Sequence, residues 1–244
     1  MAICDAKYRF LWVDIGSYGR DNDAAVFGRS DIAKLLETGD AGLPAADEEG
    51  GLNLPYYLVG DEIFPLRQWL MKPYPGKNLT LDQQIYNYRL SRARRTIENA
   101  FGILSSKFRI FRSPIIANID LVDLIVQACT VLHNYLLLTD NAKYLPSGFV
   151  DSYDSSGNIT DGAWRTEPPA EGLVPLCNQG NRNAPNVAKA TRDMLRTYVT
   201  SDEGSVSWQH AHVTDVGPIR EWCDGHIQLR ESSSHAYTYE NYFL

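Results

Sequence analysis

Two carboxylates in this sequence have the residue type and the setting that divalent metal chemistry needs. Asp61 follows the apolar run 56–59, which predicts a short buried strand ending in a turn. Glu98 lies near the edge of the apolar stripe of a long amphipathic segment. A strand-end Asp and a helix-borne Glu can meet where helix and sheet pack, and Mg²⁺ or Mn²⁺ prefers such hard oxygen ligands. The alternative is a loop residue at Asp61 and a solvated helical ion pair between Glu98 and Arg94 or Arg95.

The elements that would position these two side chains follow from hydrophobic spacing. Apolar residues recur at helical intervals over 81–108, and Thr80 with Gln83 predicts a capping-box start. A second helix is predicted over 121–138, with Asn118 as its N-cap.

The N-terminal part predicts strands that alternate with short helices. The predicted strands are 1–4, 8–15 and 56–59, and the predicted helices are 24–27 and 31–36. The Gly-rich, acidic segment 39–53 predicts an exposed connection. Strand, strand, helix, strand, helix is an α/β order.

Several ordered motifs carry a resemblance to a known family. They are Gly60-Asp61-Glu62-Ile63-Phe64-Pro65-Leu66-Arg67, Leu70-Met71-Lys72-Pro73-Tyr74, Tyr86-Asn87-Tyr88-Arg89-Leu90-Ser91-Arg92-Ala93-Arg94-Arg95 and Ile97-Glu98-Asn99-Ala100-Phe101-Gly102-Ile103-Leu104. In these motifs the chain resembles the PIF/Harbinger family of DDE transposases, which includes domesticated Harbinger-derived nucleases. The resemblance extends from Ala2 to Asn134, and a weaker patch covers 187–209.

The resemblance implies an RNase H-like nuclease core with an Asp, Asp, Glu metal triad. Asp61 matches the second Asp of that triad and Glu98 matches the Glu, with 36 residues between them. It therefore implies that both are catalytic metal ligands, that the cofactor is Mg²⁺ or Mn²⁺, and that DNA is the substrate.

The family's first Asp lies on a strand upstream of the segment that opens this chain. We therefore expect an α/β, RNase H-like DDE core that is truncated at the N-terminus and lacks its first strand. That strand would lie between the second strand and the one ending at Asp61, so their backbone edges would stay unpaired. Asp14 and Asp23 match acidic positions of the family pattern, but we do not take them as substitutes.

Charge is distributed unevenly along the chain, whose net charge is −7. Residues 67–112 hold ten Lys and Arg against two acidic residues, a net charge of +8. Such a block suits phosphate contacts, because Lys and Arg release condensed counterions from DNA. The predicted DNA phosphate contacts are Arg89, Arg92, Arg94 and Arg95. The alternative is that these arginines pair with acidic neighbours within the fold.

Four segments are expected. They are a partial DDE endonuclease domain at 1–138, a linker or extended arm at 139–186, a C-terminal helical segment at 187–209 and a disordered tail at 210–244. The tail carries four side chains that could bind zinc, although their spacing fits no known finger. These are His210, His212, Cys223 and His226.

Two functions from different classes fit the sequence. The first is a fragment of a Harbinger-type DDE nuclease, inactive alone because one triad Asp is missing. The second is a non-catalytic DNA- or protein-binding module. The resemblance also implies a separate Myb-like DNA-binding partner. The absence of an eighteen-residue apolar run predicts no membrane span. Four scattered cysteines predict reduced thiols in a cytosolic or nuclear protein. The expected location is the nucleus, with the cytoplasm as the alternative.

Overall fold

The computed structural model describes residues 1–17, 23–49, 51–166, 183–214, 228–231 and 240–243. The helices are α1 Asp23–Arg29, α2 Asp31–Thr38, α3 Leu81–Lys107, α4 Ile119–Thr139, α5 Asn141–Tyr144, α6 Asn186–Thr200 and α7 Gln209–Thr214. The strands are β1 Ala2–Cys4, β2 Phe10–Val13, β3 Asp47–Glu49, β4 Leu52–Leu54, β5 Leu58–Val59, β6 Leu70–Met71, β7 Ser152–Tyr153, β8 Ile159–Thr160, β9 Gln228–Glu231 and β10 Glu240–Phe243. The chain is thus mixed α/β, as predicted.

The main sheet has six strands in the order β2-β1-β10-β9-β5-β6. Its neighbours are antiparallel except for the parallel pair β5 and β6. Cys4 pairs with Phe243, and Leu58 pairs with Leu229. The two edges that the sequence predicts to be unpaired are therefore hydrogen-bonded to strands from the tail.

The disordered tail expected from the sequence is corrected for 228–231 and 240–243, which are strands. The physical reason is backbone hydrogen bonding, because the N–H and C=O groups at the edges of β1 and β5 gain partners in β10 and β9. Residues 215–227, 232–239 and 244 lie outside the described part of the chain.

Helices cover both faces of the sheet because the strand side chains alternate. Leu58 and Ile3 pack with Phe27 of α1 and Leu36 of α2 on one face. On the other face, Val59 joins a cluster that includes side chains of α3 and α6. Ala2 and Cys4 pack there against the middle of α3. This layering places the strand end after β5 beside α3.

The long helix α3 begins as the sequence predicts. The Thr80 hydroxyl accepts a hydrogen bond from the Gln83 N–H, and the Gln83 side chain accepts one from the Thr80 N–H. The Asn118 side chain caps α4 by accepting from the Leu121 N–H. Both caps are confirmed, and they satisfy backbone donors that a helix start leaves without partners.

Residues 140–166, called the arm below, belong to the segment predicted as a linker or extended arm, and they fold against α3. Strands β7 and β8 make a small hairpin within the arm. The Trp164 ring lies on the backbone of Gly102, where an added Cβ would come within 2.2 Å of the ring. The Arg92 guanidinium sits 4.0 Å from the ring centres of both Tyr153 and Trp208. These contacts order a segment that has no periodicity of its own; residues 167–182 lie outside the described part.

Helix α4 joins the fold along one side only. Its Asn134 side chain accepts from the Phe10 N–H at 2.8 Å and donates to the Phe10 carbonyl at 2.7 Å. Cys129, His133 and Leu137 are buried on the same side. By length and composition α4 is also the single described helix that could cross a membrane. Only 22% of its most apolar stretch is buried inside the protein.

Candidate functional site

Asp61 lies directly after β5, where the Gly60 N–H donates to the Met71 carbonyl at 2.8 Å. Its carboxylate accepts a hydrogen bond from the Ile63 N–H at 2.9 Å, which fixes the turn. Asp61 is only 3% exposed. Burial raises the pKa of its carboxyl to about 6, while the positive charge of Arg94 and the Ile63 hydrogen bond oppose that rise. The strand-end position predicted for Asp61 is confirmed.

Glu98 lies on α3 one turn after Arg94, the arginine whose charge acts on Asp61. Its carboxylate is paired with the Arg165 guanidinium from the arm, with 3.1 Å between nitrogen and oxygen. Arg165 also reaches Asp151 at 2.8 Å. The two predicted ligands are therefore placed near one stretch of α3, and each carboxylate has an arginine acting on it.

The donor set fits a divalent ion at Asp61 better than at Glu98. Asp61 is a buried carboxylate at the end of a strand, and carboxylate oxygens are hard ligands that suit Mg²⁺ or Mn²⁺. Glu98 would have to give up its ion pair with Arg165 before it could bind a cation. Within the described residues, no three His, Cys, Asp or Glu side chains lie together as a metal site. Asp61 is therefore the better candidate ligand of the two, and Glu98 is engaged by Arg165.

Two further acidic residues, Asp14 and Asp23, lie near enough to the Met1 ammonium for their charges to act on it. The Asp14 carbonyl accepts a hydrogen bond from the Met1 ammonium at 2.7 Å. Asp23 lies near enough to Asp61 for its negative charge to contribute to the raised pKa of Asp61. Burial also raises the pKa of Asp23 itself.

The four arginines predicted to contact phosphates all interact with other groups of the chain. Arg89 donates to the Gly204 carbonyl and the Gln209 side chain. Arg92 donates to the Gly157 carbonyl, and Arg94 is buried against Asp61. Arg94 thus has an acidic neighbour, as the alternative interpretation of the basic block expects, whereas Arg89 and Arg92 donate to carbonyl and amide oxygens.

Arg95 makes the strongest of these internal contacts, because it binds Asp151 through two nitrogens at 2.9 and 2.7 Å. It also reaches the exposed Asp161 at 2.7 Å. Asp151 and Arg165 are residues that the sequence reasoning missed. They lie in a segment without periodicity, and no motif marks them as neighbours of Glu98.

The proposed zinc ligands are only partly described. His212 stacks on the Tyr88 ring with 5.6 Å between ring centres, and its Nε2 lies 3.0 Å from the Ser156 carbonyl oxygen. His210 is on the same short helix, α7. Cys223 and His226 lie outside the described residues.

An α/β sheet with a carboxylate at a strand end, covered by a helix that carries another, is the arrangement expected of a DDE nuclease. The family described as DDE superfamily endonuclease matches residues 1–134, more than half of the chain. The chain belongs to this family, which implies an RNase H-like fold. The PIF/Harbinger resemblance predicted from the motifs is confirmed.

The chain is similar to curated proteins of a plant and of several animals. “Protein ALP1-like” of Arabidopsis thaliana is 33% identical over 141 residues, which cover 56% of this chain and 34% of that protein. “Putative nuclease HARBI1” of Xenopus laevis is 28% identical over 143 residues, covering 57% and 38%. Its human counterpart is 27% identical over 140 residues, covering 56% and 36%. The match thus spans little more than a third of these relatives. No solved structure matches the chain.

The burial of Asp61 predicts that Asp61→Asn stabilises the metal-free protein at neutral pH. The folded-state pKa of about 6 exceeds the ordinary 3.8, so ionisation of Asp61 opposes folding as the pH rises through 6. That difference, which already includes the opposing attraction to Arg94, corresponds to a gain of about 3 kcal/mol at most. Urea unfolding in EDTA at pH 8 and pH 4 measures it, with the gain expected to vanish at pH 4.

Asp5→Asn is the matched control for this measurement. Asp5 is also 3% exposed, but its carboxylate accepts from the Lys7 and Arg9 N–H groups and pairs with the Arg9 side chain. Its replacement is expected to destabilise the protein at pH 8. A loss of stability in Asp61→Asn under the same conditions would contradict the assignment of Asp61 as a carboxylate that burial disfavours.

Proposed function

We propose that this chain is a transposase-derived DDE nuclease module that binds DNA and one divalent ion, Mg²⁺ or Mn²⁺, and does not cleave DNA alone. The family membership supports the nuclease origin. The resemblance assigns two triad ligands to this chain, Asp61 and Glu98. Complete sites of this type hold two ions about 3.5–4 Å apart between three carboxylates.

The ion pair between Glu98 and Arg165 is the main observation that supports a chain unable to cleave DNA alone. An arginine held on a carboxylate neutralises it and competes with any cation for its oxygens. Two carboxylates, one of them so paired, supply too little negative charge to offset the repulsion between two neighbouring divalent ions.

A bound divalent ion would polarise a phosphodiester oxygen and acidify an attacking water. Asp61 would hold the ion at the strand end, since its turn is fixed by the Ile63 hydrogen bond. The positive charge of the buried Arg94 acts on Asp61 and would limit how much negative charge the ion meets. Glu98 would contribute only when Arg165 moves away.

DNA binding is proposed through the basic block 67–112, whose net charge is +8. Arg89, Arg92 and Arg95 make contacts within the chain, so we expect weak binding that falls steeply with salt. A nuclear location and a Myb-like DNA-binding partner belong to the same proposal, and both follow from the family resemblance.

The test of this proposal is incubation of the full chain with supercoiled plasmid and Mn²⁺, beside an Asp61→Ala, Glu98→Ala double variant. We expect nicking by neither protein, because loss of part of a catalytic unit commonly costs several orders of magnitude in rate. Gel shifts at two salt concentrations measure DNA binding in the same samples. Nicking by the unaltered chain that disappears in the double variant would overturn the proposal.

The second candidate is a non-catalytic DNA- or protein-binding module, which the ion pair between Glu98 and Arg165 also supports. Calorimetric titration with Mn²⁺ separates the two. The nuclease-derived module binds Mn²⁺ through Asp61, and Asp61→Ala removes that binding. If the chain is a purely non-catalytic module, the unaltered chain and Asp61→Ala should give the same heat of titration with Mn²⁺.

A further inference from the structure

The outer side of α4 carries an apolar stripe that no part of the described chain covers. The stripe consists of Leu121, Leu124, Ala128, Val131, Tyr135 and Leu138, all of them exposed. The largest exposed fractions are 68% at Leu138 and 67% at Val131. A contiguous patch of this kind on a globular domain marks a contact surface.

The spacing of the stripe specifies the kind of surface it fits. Successive members are separated by three, four, three, four and three residues, the pattern of a helix seam that packs against another helix. The six residues span about 26 Å of helix at 1.5 Å per residue.

We propose that this stripe binds the same stripe of a second copy of the chain, with the two α4 helices antiparallel. The pattern is symmetric about the point between Ala128 and Val131. A two-fold axis there pairs Ala128 with Val131, Leu124 with Tyr135, and Leu121 with Leu138 of the other copy. A self-complementary patch of this kind is what an isologous dimer needs. The small Ala128 side chain lets the helices approach at the centre.

Charges at the two ends of α4 favour the antiparallel arrangement. Asp120 and Asp123 lie in or near its first turn, and the helix contains no Lys or Arg. Lys143 follows the C-terminal end; its side chain is 86% exposed, and its ammonium lies 3.4 Å from the Asp140 carboxylate of the same copy. Antiparallel packing brings Lys143 of one copy toward Asp120 of the other, twice per dimer. It also opposes the two helix dipoles favourably.

The same charges argue against a membrane as the occupant. A helix that lies on a bilayer usually carries Lys or Arg along its polar side, and α4 has neither. Its inner side is tied to the protein by Asn134 and by the buried His133. Membrane binding is therefore an outcome that the test must separate, not the expectation.

The experiment is sedimentation equilibrium of the full chain over a range of concentrations, with and without lipid vesicles. We expect a monomer–dimer equilibrium. Val131→Glu is expected to raise the dimer dissociation constant about 100-fold or more, because two glutamates would be buried near the axis. Val187→Glu is the matched control: Val187 is 58% exposed on α6, outside the stripe, and its replacement should leave dimerisation unchanged. Unchanged melting temperatures would show that both variants fold.

Crosslinking tests the register. Leu124→Cys and Tyr135→Cys proteins are mixed and oxidised mildly, and the 124–135 heterodimer is expected to exceed either homodimer. A chain that stays monomeric at all concentrations, or that remains monomeric and floats with vesicles, would overturn the proposal. Preferred crosslinking of 124 to 124 would also overturn it. None of these outcomes bears on the nuclease proposal, which concerns Asp61 and Glu98.

Discussion

Asp151→Ala is expected to lower the free energy of unfolding by about 3 kcal/mol, the scale found when one partner of a buried ion pair is removed. The Asp151 side chain is 0% exposed and accepts bonds from Arg95, Arg165 and the Gly162 N–H. Burial alone would raise its pKa, but the hydrogen bonds outweigh it and lower that pKa. Its removal leaves Arg95 and Arg165 without their shared buried carboxylate and weakens the attachment of the arm to α3.

Urea unfolding at pH 7 measures this loss, with Asp161→Ala as the control. Asp161 contacts the same Arg95, but its side chain is 65% exposed. Solvent screening should limit the effect of its replacement to under about 1 kcal/mol. Equal losses of unfolding free energy in the two variants would contradict the expectation that burial makes the Asp151 ion pairs more important than the exposed one. Limited proteolysis should cut the arm sooner in Asp151→Ala than in Asp161→Ala.

The second large effect concerns His133, which is 0% exposed at the junction of α4 with the β1–β2 hairpin. Its Nε2–H donates to the Tyr8 carbonyl at 2.8 Å, so its Nδ1 accepts from the Tyr144 hydroxyl at 2.8 Å. The Phe10 ring lies 5.0 Å from the imidazole centre. Burial lowers the pKa of His133 to about 4, although the Tyr8 carbonyl and the charge of Asp5 oppose that change.

This lowered pKa predicts acid lability. The unfolded chain binds a proton at His133 near the ordinary value of 6.5, whereas the folded chain resists protonation down to about 4. Stability due to neutral His133 is therefore present above pH 6.5 and is lost as the pH falls from 6.5 to 4. The loss corresponds to about 3 kcal/mol.

The measurement is urea unfolding at several pH values between 7 and 4, for the unaltered chain and for His133→Gln. Gln cannot take up a proton, so the variant should lose about 3 kcal/mol less than the unaltered chain over this range. His212→Gln serves as control, because His212 is half-exposed and its replacement should leave the slope unchanged. A parallel pH dependence in all three proteins would refute the role of His133.

Sequence reasoning predicted the long helices because their signals are local. Hydrophobic spacing with Thr80, Gln83 and Asn118 gave α3 and α4 to within two residues at every boundary. The Ser30 hydroxyl likewise caps α2 by accepting from the Ala33 N–H, another signal confined to a few neighbouring residues. Capping and amphipathic spacing act within a few residues, so a single sequence contains them fully.

Elements that depend on distant partners were not predicted. Hairpin β3–β4 lies in the segment expected to be an exposed connection, and two-residue β6 has too little pattern to recognise. The packing of Trp164 on α3 depends on the space that Gly102 leaves for its ring, and a single sequence does not show which residues will meet. The order of the arm arises from such tertiary contacts.

The candidate site shows the same division. The sequence predicted that Asp61 follows a strand and that Glu98 lies on a long helix, because each of these elements has a local signal. The pairing of Glu98 with Arg165 joins residues 67 positions apart and has no signature in either segment. The exposed side of α4 was hidden too, since apolar residues occur around much of that helix and spacing alone does not say which side meets the protein.

The position of β9 and β10 has a consequence for how the chain acquires its fold during synthesis. These strands lie between β1 and β5 in the sheet, although more than 160 residues separate them from either in sequence. A ribosome-bound chain can form α3 and the β1–β2 hairpin early, but the sheet cannot close until residue 243 has left the exit tunnel. Such long-range closure is slow, and until then the open edges of β1 and β5 are available to other chains. The nascent protein is therefore the form most in need of a chaperone.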